Sequence, residues 1–422
     1  MKFLRDTGFL ALAAFLLLLA PGCGDYYRPV ANPIISGGGQ PQGVHYAYVV
    51  NYNPNGDGST TQIDVSGDTN VAVNAMGVGS ISEAFPPSSD ALFIANSGND
   101  TVSEYLPIIS GAITTIALLP GSHPIFVSSA QTGFMYVINS GTNSACPNTG
   151  SISTISLSTL NVTGTVCVGV NPTSLAQVPG GNFIYVLNQG NATTPPSLSL
   201  FTPGNLTTTA TITSANGLGA NPVSLAASTD GNWVFVVTQG SGGGPGALDI
   251  ISAGQATIGA SVPLGVQPTF STIDPVLNRL YVTNTGGNSV SVFDVTNVNL
   301  SNQPAMPTLA TVPVGTGPIG LTPLADGTKF YVLNSGSDDV TVVSASSYSV
   351  LTSVPLAAGA DPVWIASDPT ASKVYVANQG TTNTTIIQTS NNSITLSIPA
   401  PTQVSGCTSS CAMQQPVMIL TQ

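Results

Sequence analysis

Residues 279–284 read Arg-Leu-Tyr-Val-Thr-Asn, residues 285–288 read Thr-Gly-Gly-Asn, and residues 289–293 read Ser-Val-Ser-Val-Phe. Hydrophobic and polar side chains alternate in both outer runs, as they do in strands that bury one face. The Gly/Asn segment between the runs is typical of a tight turn. The stretch therefore predicts a β-hairpin whose first strand ends at Asn284.

The same hairpin recurs along most of the chain. A run opened by a residue–Pro step precedes most copies, and a further alternating run follows each one, so each repeat holds four strands. Four antiparallel strands in about 47 residues, without helices, are typical of a β-propeller blade. The residue that ends the first hairpin strand occurs eight times, at Asn51, Asn96, Asn139, Asn188, Thr238, Asn284, Asn334 and Asn378.

The two ends of the repeat region complement each other. The first copy begins directly with its hairpin strand at Tyr46–Asn51, whereas residues 415–420 form a Pro-led strand that no hairpin follows. The sequence therefore predicts an all-β, eight-bladed β-propeller in which the C-terminal strand closes the first blade as its innermost strand. A seven-bladed ring is the alternative, in which Asn32–Ile35 could supply a displaced inner strand.

The composition limits the classes of partner. Of the 422 residues, 42% are hydrophobic, which is enough for a core, but only 6% are charged, and the formal net charge is -12. Beyond residue 22, fixed positive charge is confined to Arg28, Arg279, Lys329 and Lys373. Four scattered cations cannot line a groove for a phosphate backbone, so the sequence argues against nucleic-acid binding.

Several copies of the hairpin strand share one tetrapeptide pattern. Tyr185–Asn188, Tyr281–Asn284, Tyr331–Asn334 and Tyr375–Asn378 resemble the YVTN-type β-propeller repeat of bacterial and archaeal surface proteins. This resemblance covers roughly residues 46–422 and implies the fold without implying a chemistry. A more distant similarity extends to lactonase-like propellers, which prefer seven blades. That similarity implies charged residues, with His, Arg and Glu among them, near the central channel.

The N-terminal residues 1–22 combine two positive charges with a short apolar run and resemble a secretion signal. They lead into a Leu-Ala-Pro-Gly-Cys sequence that resembles a bacterial lipobox, which predicts that Cys23 receives lipid and becomes the mature N-terminus. By the same resemblance, Asp25 as the third mature residue favours the outer membrane. The Pro- and Gly-rich residues 23–45 then predict a flexible tether, and residues 46–422 the propeller.

The other four cysteines make an even number, which in an oxidising compartment predicts two disulfides. Cys146 and Cys167 belong to one repeat, and Cys407 and Cys411 lie in the last connection, so local pairing is the simplest prediction, although the sequence alone leaves the connectivity open. The Cys407–Cys411 spacing has no second Cys or His pair to complete a metal site. The sequence therefore predicts no metal site and no cofactor.

Side chains for acid-base chemistry are scarce. The chain has two histidines, His45 and His123, and two glutamates, Glu83 and Glu104. No Gly-x-Ser-x-Gly elbow presents a nucleophilic serine. Each histidine is interpreted as a turn residue, and no catalytic residue is predicted.

In a propeller, the connections that enter the inner strands gather around the central channel, so the residues before the inner-strand prolines are predicted to form one ring. Most of them carry amides, which suit hydrogen bonding to a polar ligand such as a sugar and suit acid-base or metal chemistry poorly. Simple turn capping is the alternative interpretation of the same residues. The predicted ring consists of His123, Asn171, Asn221, Gln267, Gly317, Asp361 and Gln415.

These observations favour a non-catalytic lipoprotein of the cell envelope, monomeric and held at the outer membrane by its lipid. Its expected role is a binding or scaffold module for a saccharide or for an envelope protein. Secretion without a lipid anchor is one alternative. A lactonase-like hydrolase or isomerase acting at the central channel is the other.

Overall fold

The computed structural model describes residues 45–86, 90–107, 111–129, 133–203, 206–301, 305–404, 406–407 and 414–422. The predicted signal, Cys23 and almost all of the predicted tether lie outside these residues. Within them the chain folds into eight four-stranded antiparallel sheets, and the only helix there is one 3-10 turn at Ser214–Asn216. The prediction of an eight-bladed propeller is confirmed.

Four blades come from the first half of the chain. Blade 1 holds β1 (Tyr46–Tyr52), β2 (Asp57–Asp64), β3 (Thr69–Val78) and β32 (Gln415–Thr421). Blade 2 holds β4 (Ser80–Ala84), β5 (Leu92–Asn96), β6 (Thr101–Leu106) and β7 (Ala112–Ala117). Blade 3 holds β8 (Pro124–Ser129), β9 (Phe134–Asn139), β10 (Ser151–Ser156) and β11 (Val162–Cys167). Blade 4 holds β12 (Pro172–Gln177), β13 (Ile184–Asn188), β14 (Ser197–Thr202) and β15 (Thr207–Ile212).

The other four blades follow in order. Blade 5 holds β16 (Pro222–Ala227), β17 (Trp233–Thr238), β18 (Pro245–Ser252) and β19 (Ala260–Val266). Blade 6 holds β20 (Pro268–Asp274), β21 (Arg279–Asn284), β22 (Ser289–Asp294) and β23 (Thr308–Pro313). Blade 7 holds β24 (Pro318–Pro323), β25 (Lys329–Asn334), β26 (Asp339–Ser344) and β27 (Val350–Pro355). Blade 8 holds β28 (Pro362–Ser367), β29 (Lys373–Asn378), β30 (Asn383–Gln388) and β31 (Ser393–Pro399).

The strands of each blade are called inner, second, third and outer strand, counted from the channel. The inner strands of neighbouring blades contact one another around the ring. The outer strands carry no Asp, Glu, Lys, Arg or His in any of the eight blades. Threonine and aliphatic side chains are exposed there instead, as at Leu351 and Leu396. Within the described part of the chain, no helix is long and apolar enough to cross a membrane.

The hairpin that decides the fold has the predicted register. Asn284 of β21 faces Ser289 of β22 and Arg279 faces Asp294, so the two strands match along their whole length. The turn closes at Asn288, whose φ of 48° is left-handed, a conformation that Asn tolerates better than most residues. Turn chemistry and strand alternation therefore specify the same hairpin.

In blades 2, 4 and 6, the asparagine that ends the second strand hydrogen-bonds both to the third strand and to the connection from the preceding blade. Asn284 Nδ2 donates to Ser289 Oγ (3.2 Å) and Ser291 Oγ (2.9 Å) on the third strand. Its Oδ1 accepts the backbone N–H of Gly265 (3.0 Å), which belongs to the connection arriving from the preceding blade. A Cβ at Gly265 would lie 2.6 Å from the asparagine Cγ, so only glycine fits there. Asn96 and Asn188 hold Gly77 and Gly169 in the same way.

Blade 5 makes the same connection with different residues. Thr238 replaces the asparagine, and the buried Asp249 stands where blade 6 has Ser291. Asp249 Oδ2 accepts the backbone N–H of Gly219 (2.8 Å), and its Oδ1 accepts the hydroxyl of Ser261 (2.8 Å). The acceptor for the glycine N–H has therefore moved from the second strand to the third.

Large apolar side chains fill the space between neighbouring blades. The Tyr or Phe three residues before each second-strand Asn or Thr is fully buried, and so are most of the aliphatic residues that follow it. One cluster, for example, joins Tyr136 and Ile138 of β9 to Val186 of β13 and Phe201 of β14. Burial of such side chains stabilises a core by about 1.5–3 kcal/mol each, so the contacts between blades hold the ring together.

The ring closes as the sequence predicts. β32 pairs antiparallel with β1, with Ile419 opposite Val49 and Met418 opposite Val50. Trp364 of blade 8 donates its indole N–H to the Ile419 carbonyl (2.8 Å), which ties the closing strand to the blade before it. On the outer side of the same seam, Lys373 of blade 8 forms an ion pair with Asp68 of blade 1.

Candidate functional site

One face of the ring collects the connections that enter the inner strands. Because strand direction alternates within a blade, the start of the inner strand, the turn between second and third strands, and the end of the outer strand all lie on this face. We call it the rim face. The turns between inner and second strands, and between third and outer strands, lie on the opposite face.

Most of the predicted ring residues share one unusual backbone conformation on the rim face. Six of them are left-handed, each immediately before an inner strand, and they lie close to the axis because the inner strands surround it. Their φ values are 46° at His123, 53° at Asn171, 50° at Asn221, 49° at Gln267, 63° at Gly317 and 45° at Asp361. Gln415 instead begins β32, and blade 2 has Gly79 (φ 68°) at this position, a residue that the Pro-led pattern missed.

The left-handed residues have a structural role as well. The His123 carbonyl accepts the backbone N–H of Ser140 (3.1 Å), and the Gln267 carbonyl accepts that of Thr285 (2.9 Å). Each bond extends the ladder between inner and second strands by one rung. The side chains of His123, Asn221, Gln267 and Asp361 remain exposed. The backbone thus caps the turn while these four side chains face solvent, so the two interpretations of the ring are compatible.

The turns around the rim are unequal in length. Between second and third strands there are eleven residues in blade 3, eight in blade 4 and six in blade 5, against four in every other blade. These three long loops, 140–150, 189–196 and 239–244, contain no charged residue. They belong to consecutive blades and therefore lie side by side on one half of the rim. We call these three loops the wall. Sequence analysis missed this asymmetry, although the spacing between each hairpin residue and the next strand carried the signal.

Amide members of the ring contact the wall. Asn221 Nδ2 donates to the Gly240 carbonyl (2.8 Å), and Asn171 Nδ2 lies 3.4 Å from Gln189 Oε1. The backbone N–H of Gln267 donates to the Gly244 carbonyl (3.2 Å). The amide half of the ring and the long-loop half of the rim therefore coincide.

Disulfides restrain two connections. Cys146, in the first long loop, is joined to Cys167 at the end of β11, as local pairing predicts. Cys407 is also disulfide-bonded, and its predicted partner Cys411 lies outside the described residues. Closing a loop of this length between Cys146 and Cys167 removes conformational freedom that the wall would otherwise have.

Charge on the rim face is negative, and most of it is engaged with the backbone. Asp100 accepts the N–H groups of Gly121 (2.7 Å) and His123 (2.6 Å), and Asp338 accepts those of Gly359 (2.9 Å) and Asp361 (3.1 Å). Each carboxylate thereby fixes the connection into the next inner strand.

The fixed cations of the described chain lie on the opposite face. Arg279, Lys329 and Lys373 are the first residues of their second strands, five positions before the rim-face asparagines. Arg279 pairs with Asp294 (2.9 Å), and Lys329 donates to the Thr389 carbonyl (2.7 Å). In the described residues, therefore, no Lys or Arg is available at the rim for an anionic ligand.

The geometry offers little for acid-base catalysis. His123 Nδ1 bonds the Ser97 carbonyl (3.1 Å), and His45 Nδ1 bonds the Gln422 carbonyl (3.2 Å), so each histidine is held by backbone rather than by a carboxylate. Glu83 is buried between blades, and Glu104 lies on β6. Where residues are described, no three His, Cys, Asp or Glu side chains gather closely enough to hold a metal ion.

Inner strands of three neighbouring blades, 6 to 8, line a small apolar pocket. Its lining residues are Phe270, Gly320, Leu321, Trp364 and Ile365, and its volume of about 10 Å³ leaves room for about one water molecule.

Comparison with known proteins places the chain among propellers. Residues 135–348 match the family model described as "Lactonase, 7-bladed beta-propeller". The match covers half of the chain and includes blades 4, 5 and 6 entire. No curated protein is significantly similar in sequence.

Solved structures share the fold at low sequence identity. Dihydro-heme d1 dehydrogenase NirN has a TM-score of 0.68 at 11% identity, over 92% of this chain and 78% of that one. AztD from Citrobacter koseri has a TM-score of 0.59 at 12% identity, and the match covers 90% of this chain and 98% of AztD. A putative 6-phosphogluconolactonase from Bacteroides fragilis has a TM-score of 0.53 at 12% identity, and the match covers 76% of this chain and 97% of that protein. At such identities the likeness establishes the propeller alone.

Proposed function

The chain belongs to the lactonase family of β-propellers, and we propose that it uses this scaffold, with eight blades instead of seven, as a binding protein. Its ligand is an uncharged, hydroxyl-rich molecule such as a saccharide, bound at the channel mouth. The observation that carries this proposal is the coincidence of the exposed Asn221 and Gln267 side chains with three long uncharged loops. Amide groups donate and accept hydrogen bonds, which matches the needs of hydroxyl groups.

The same surface argues against a phosphorylated substrate. The Bacteroides fragilis neighbour is named a putative 6-phosphogluconolactonase, and such a substrate carries negative charge. The rim face here holds Asp100, Asp338 and Asp361, while the three described cations lie on the opposite face. Phosphate binding normally needs Arg, Lys or unengaged backbone N–H groups. A neutral ligand avoids this repulsion.

A binding measurement tests the proposal. We expect the purified propeller to bind members of a neutral glycan array, and Asn221→Gly or Gln267→Gly to weaken that binding about three- to tenfold, the worth of one lost hydrogen bond. Glycine is the appropriate replacement because it keeps the left-handed backbone, as Gly317 does in blade 7. Ser337→Ala, in a four-residue turn on the other half of the rim, is the matched control and should bind like the wild type.

Lactone hydrolysis is the second candidate, and the family match favours it. A panel of neutral and phosphorylated lactones separates the two functions. Turnover that disappears in His123→Ala would establish catalysis at the rim and overturn the binding proposal. Glycan binding without turnover would support it.

The resemblance to YVTN-type surface proteins and the N-terminal sequence support an envelope location. We expect the chain to incorporate labelled palmitate when expressed in a bacterium, because Cys23 follows a lipobox-like sequence. Cys23→Ser should abolish the label and move the protein into the soluble fraction, whereas Ser36→Ala, in the predicted tether, should leave both unchanged. Absence of label from the wild type would instead indicate plain secretion.

A further inference from the structure

Glu83 breaks the pattern of the inner strands. It lies on β4 opposite Ile94, two residues before the second-strand asparagine of blade 2. The other seven inner strands place an aliphatic residue or a serine at this register position, so the repeat itself does not require a carboxyl group there. The equivalent residues are Val127, Leu175, Leu225, Ser271, Leu321, Ile365 and Ile419.

The side chain of Glu83 is enclosed at the ring closure. The residue is 1% exposed, and its backbone N–H donates to Met418 Sδ (3.4 Å) on the closing strand β32. Neither carboxyl oxygen has a partner in good hydrogen-bond geometry among the described residues, and the backbone of Leu420 on β32 is the one group that favours the ionised form. Tyr48 of the neighbouring β1 is fully buried, and its hydroxyl is also without a partner there. A buried, unpaired carboxylate is costly, so the group gains by carrying a proton.

The groups around Glu83 supply no positive charge to offset an ionised carboxyl. The elements packed against β4 are β1, β2, β5, β8 and β32. Their titratable side chains are the tyrosines of β1 together with Asp57 and Asp64 of β2, with no Lys, Arg or His among them. β32 has no titratable side chain, and His45 at the start of β1 bonds the carbonyl of Gln422 beyond that strand. The side chains of these elements ionise only to negative forms, so none of them offsets an ionised Glu83 carboxyl group.

We propose that Glu83 is a proton-binding site that couples closure of the ring to pH. With the seam between β32 and β4 closed, the carboxyl group is enclosed and carries its proton. When the seam opens, the group meets water and releases one proton to solvent. The ring therefore closes more tightly in acidic than in alkaline surroundings.

Burial of Glu83 determines whether ring closure becomes more or less stable as pH rises. Desolvation raises the pKa of Glu83 well above its usual value of 4.5, and the Leu420 backbone offsets only part of that rise. The closed ring thus holds a proton that the open chain releases. Its stabilising effect is complete below the open-chain pKa and declines as pH rises toward the closed-state pKa, by up to about tenfold in the closing equilibrium per pH unit.

The test measures opening of the seam against pH. Hydrogen exchange in Gln415–Thr421, corrected for intrinsic rates, and melting temperature are followed from pH 5 to pH 8 in the full chain. We expect wild-type protection of this strand to fall as pH rises, and the dependence to be much weaker in Glu83→Gln. Glu83→Leu, which restores the residue type of the other blades, should lose the dependence and melt at a higher temperature.

Glu104→Gln is the matched control, because Glu104 is the only other glutamate and lies on β6 rather than at the seam. Burial also raises the pKa of Glu104, so this variant will alter the pH dependence of the melting temperature, but it should keep the wild-type pH dependence of exchange in Gln415–Thr421. The same pH dependence in the wild type and in Glu83→Gln would overturn the proposal. If Glu83→Gln does not fold, the wild type is compared with Glu83→Leu instead. The same change of protection with pH in these two proteins would overturn the proposal as well.

Discussion

Removal of residues 415–422 will open the propeller and cause the largest loss of stability available from a short truncation. The deletion takes away Val417, Met418 and Ile419, which are almost fully buried, and leaves the inner edge of β1 without its ladder partner. Large-to-small changes at single buried sites cost about 2–5 kcal/mol, so loss of the whole strand should exceed 5 kcal/mol. For a domain of this size we expect the melting temperature to fall by more than about 6 °C.

A complementation experiment serves as the control for this truncation. A synthetic peptide of residues 415–422, added in excess, should bind the truncated protein and restore much of the melting temperature. The peptide can pair with the free edge of β1 and accept the hydrogen bond from the Trp364 indole N–H. A peptide with the same composition in scrambled order should not. A truncated protein that melts like the wild type would contradict closure by β32.

Asp249→Ser should destabilise blade 5 strongly, and Thr238→Asn should rescue it. The single substitution leaves the Gly219 N–H without its acceptor at a site where Asp249 is 2% exposed, and it removes the bond from Ser261. A buried polar group left unpaired costs about 1–3 kcal/mol, so we expect the free energy of unfolding to fall by about 2–3 kcal/mol. The double variant recreates the Asn284 and Ser291 pair of blade 6 and should recover most of the loss.

Denaturant unfolding of the wild type, both single variants and the double variant completes a double-mutant cycle. We expect a coupling energy above about 1 kcal/mol, because both residues serve one glycine N–H. Asn284→Ala in blade 6 is the matched comparison, since it removes the acceptor for Gly265 by the other route. Additive single effects would show that the two blades do not use equivalent connections.

The parts of the fold that were predictable depend on local pattern. Alternation around Asn284 predicts the hairpin, and its repetition predicts eight blades, because each strand shows one face to a core whatever its neighbours are. The Pro-led strand at 415–420 predicts closure, because it lacks a hairpin of its own. The bond from Asn284 to Gly265 was not predicted, although a glycine stands two residues before six of the seven ring positions, among them Gly169, Gly219, Gly265 and Gly315.

The candidate site was less predictable because it depends on which loops become neighbours. The residues before the prolines could be assigned to one ring from topology alone. The wall could not be predicted in this way. The sequence shows a loop of eleven residues, but it does not show that this loop lies beside loops of eight and six residues on the same face. Glu83 appeared in the sequence only as one of two glutamates. Its place at an otherwise aliphatic position became visible once the strand registers were known.

The outer strands determine how the molecule meets its surroundings. Its circumference includes eight outer strands whose side chains are mainly hydroxyl and aliphatic groups, with amides on β3 and no ionised group among them. Hydration of such groups varies little with ionic strength or acidity, unlike the hydration and mutual repulsion of charged patches. Two molecules approaching side by side would therefore experience much the same interaction in dilute and in concentrated salt, and only approaches through the acidic faces would respond to screening.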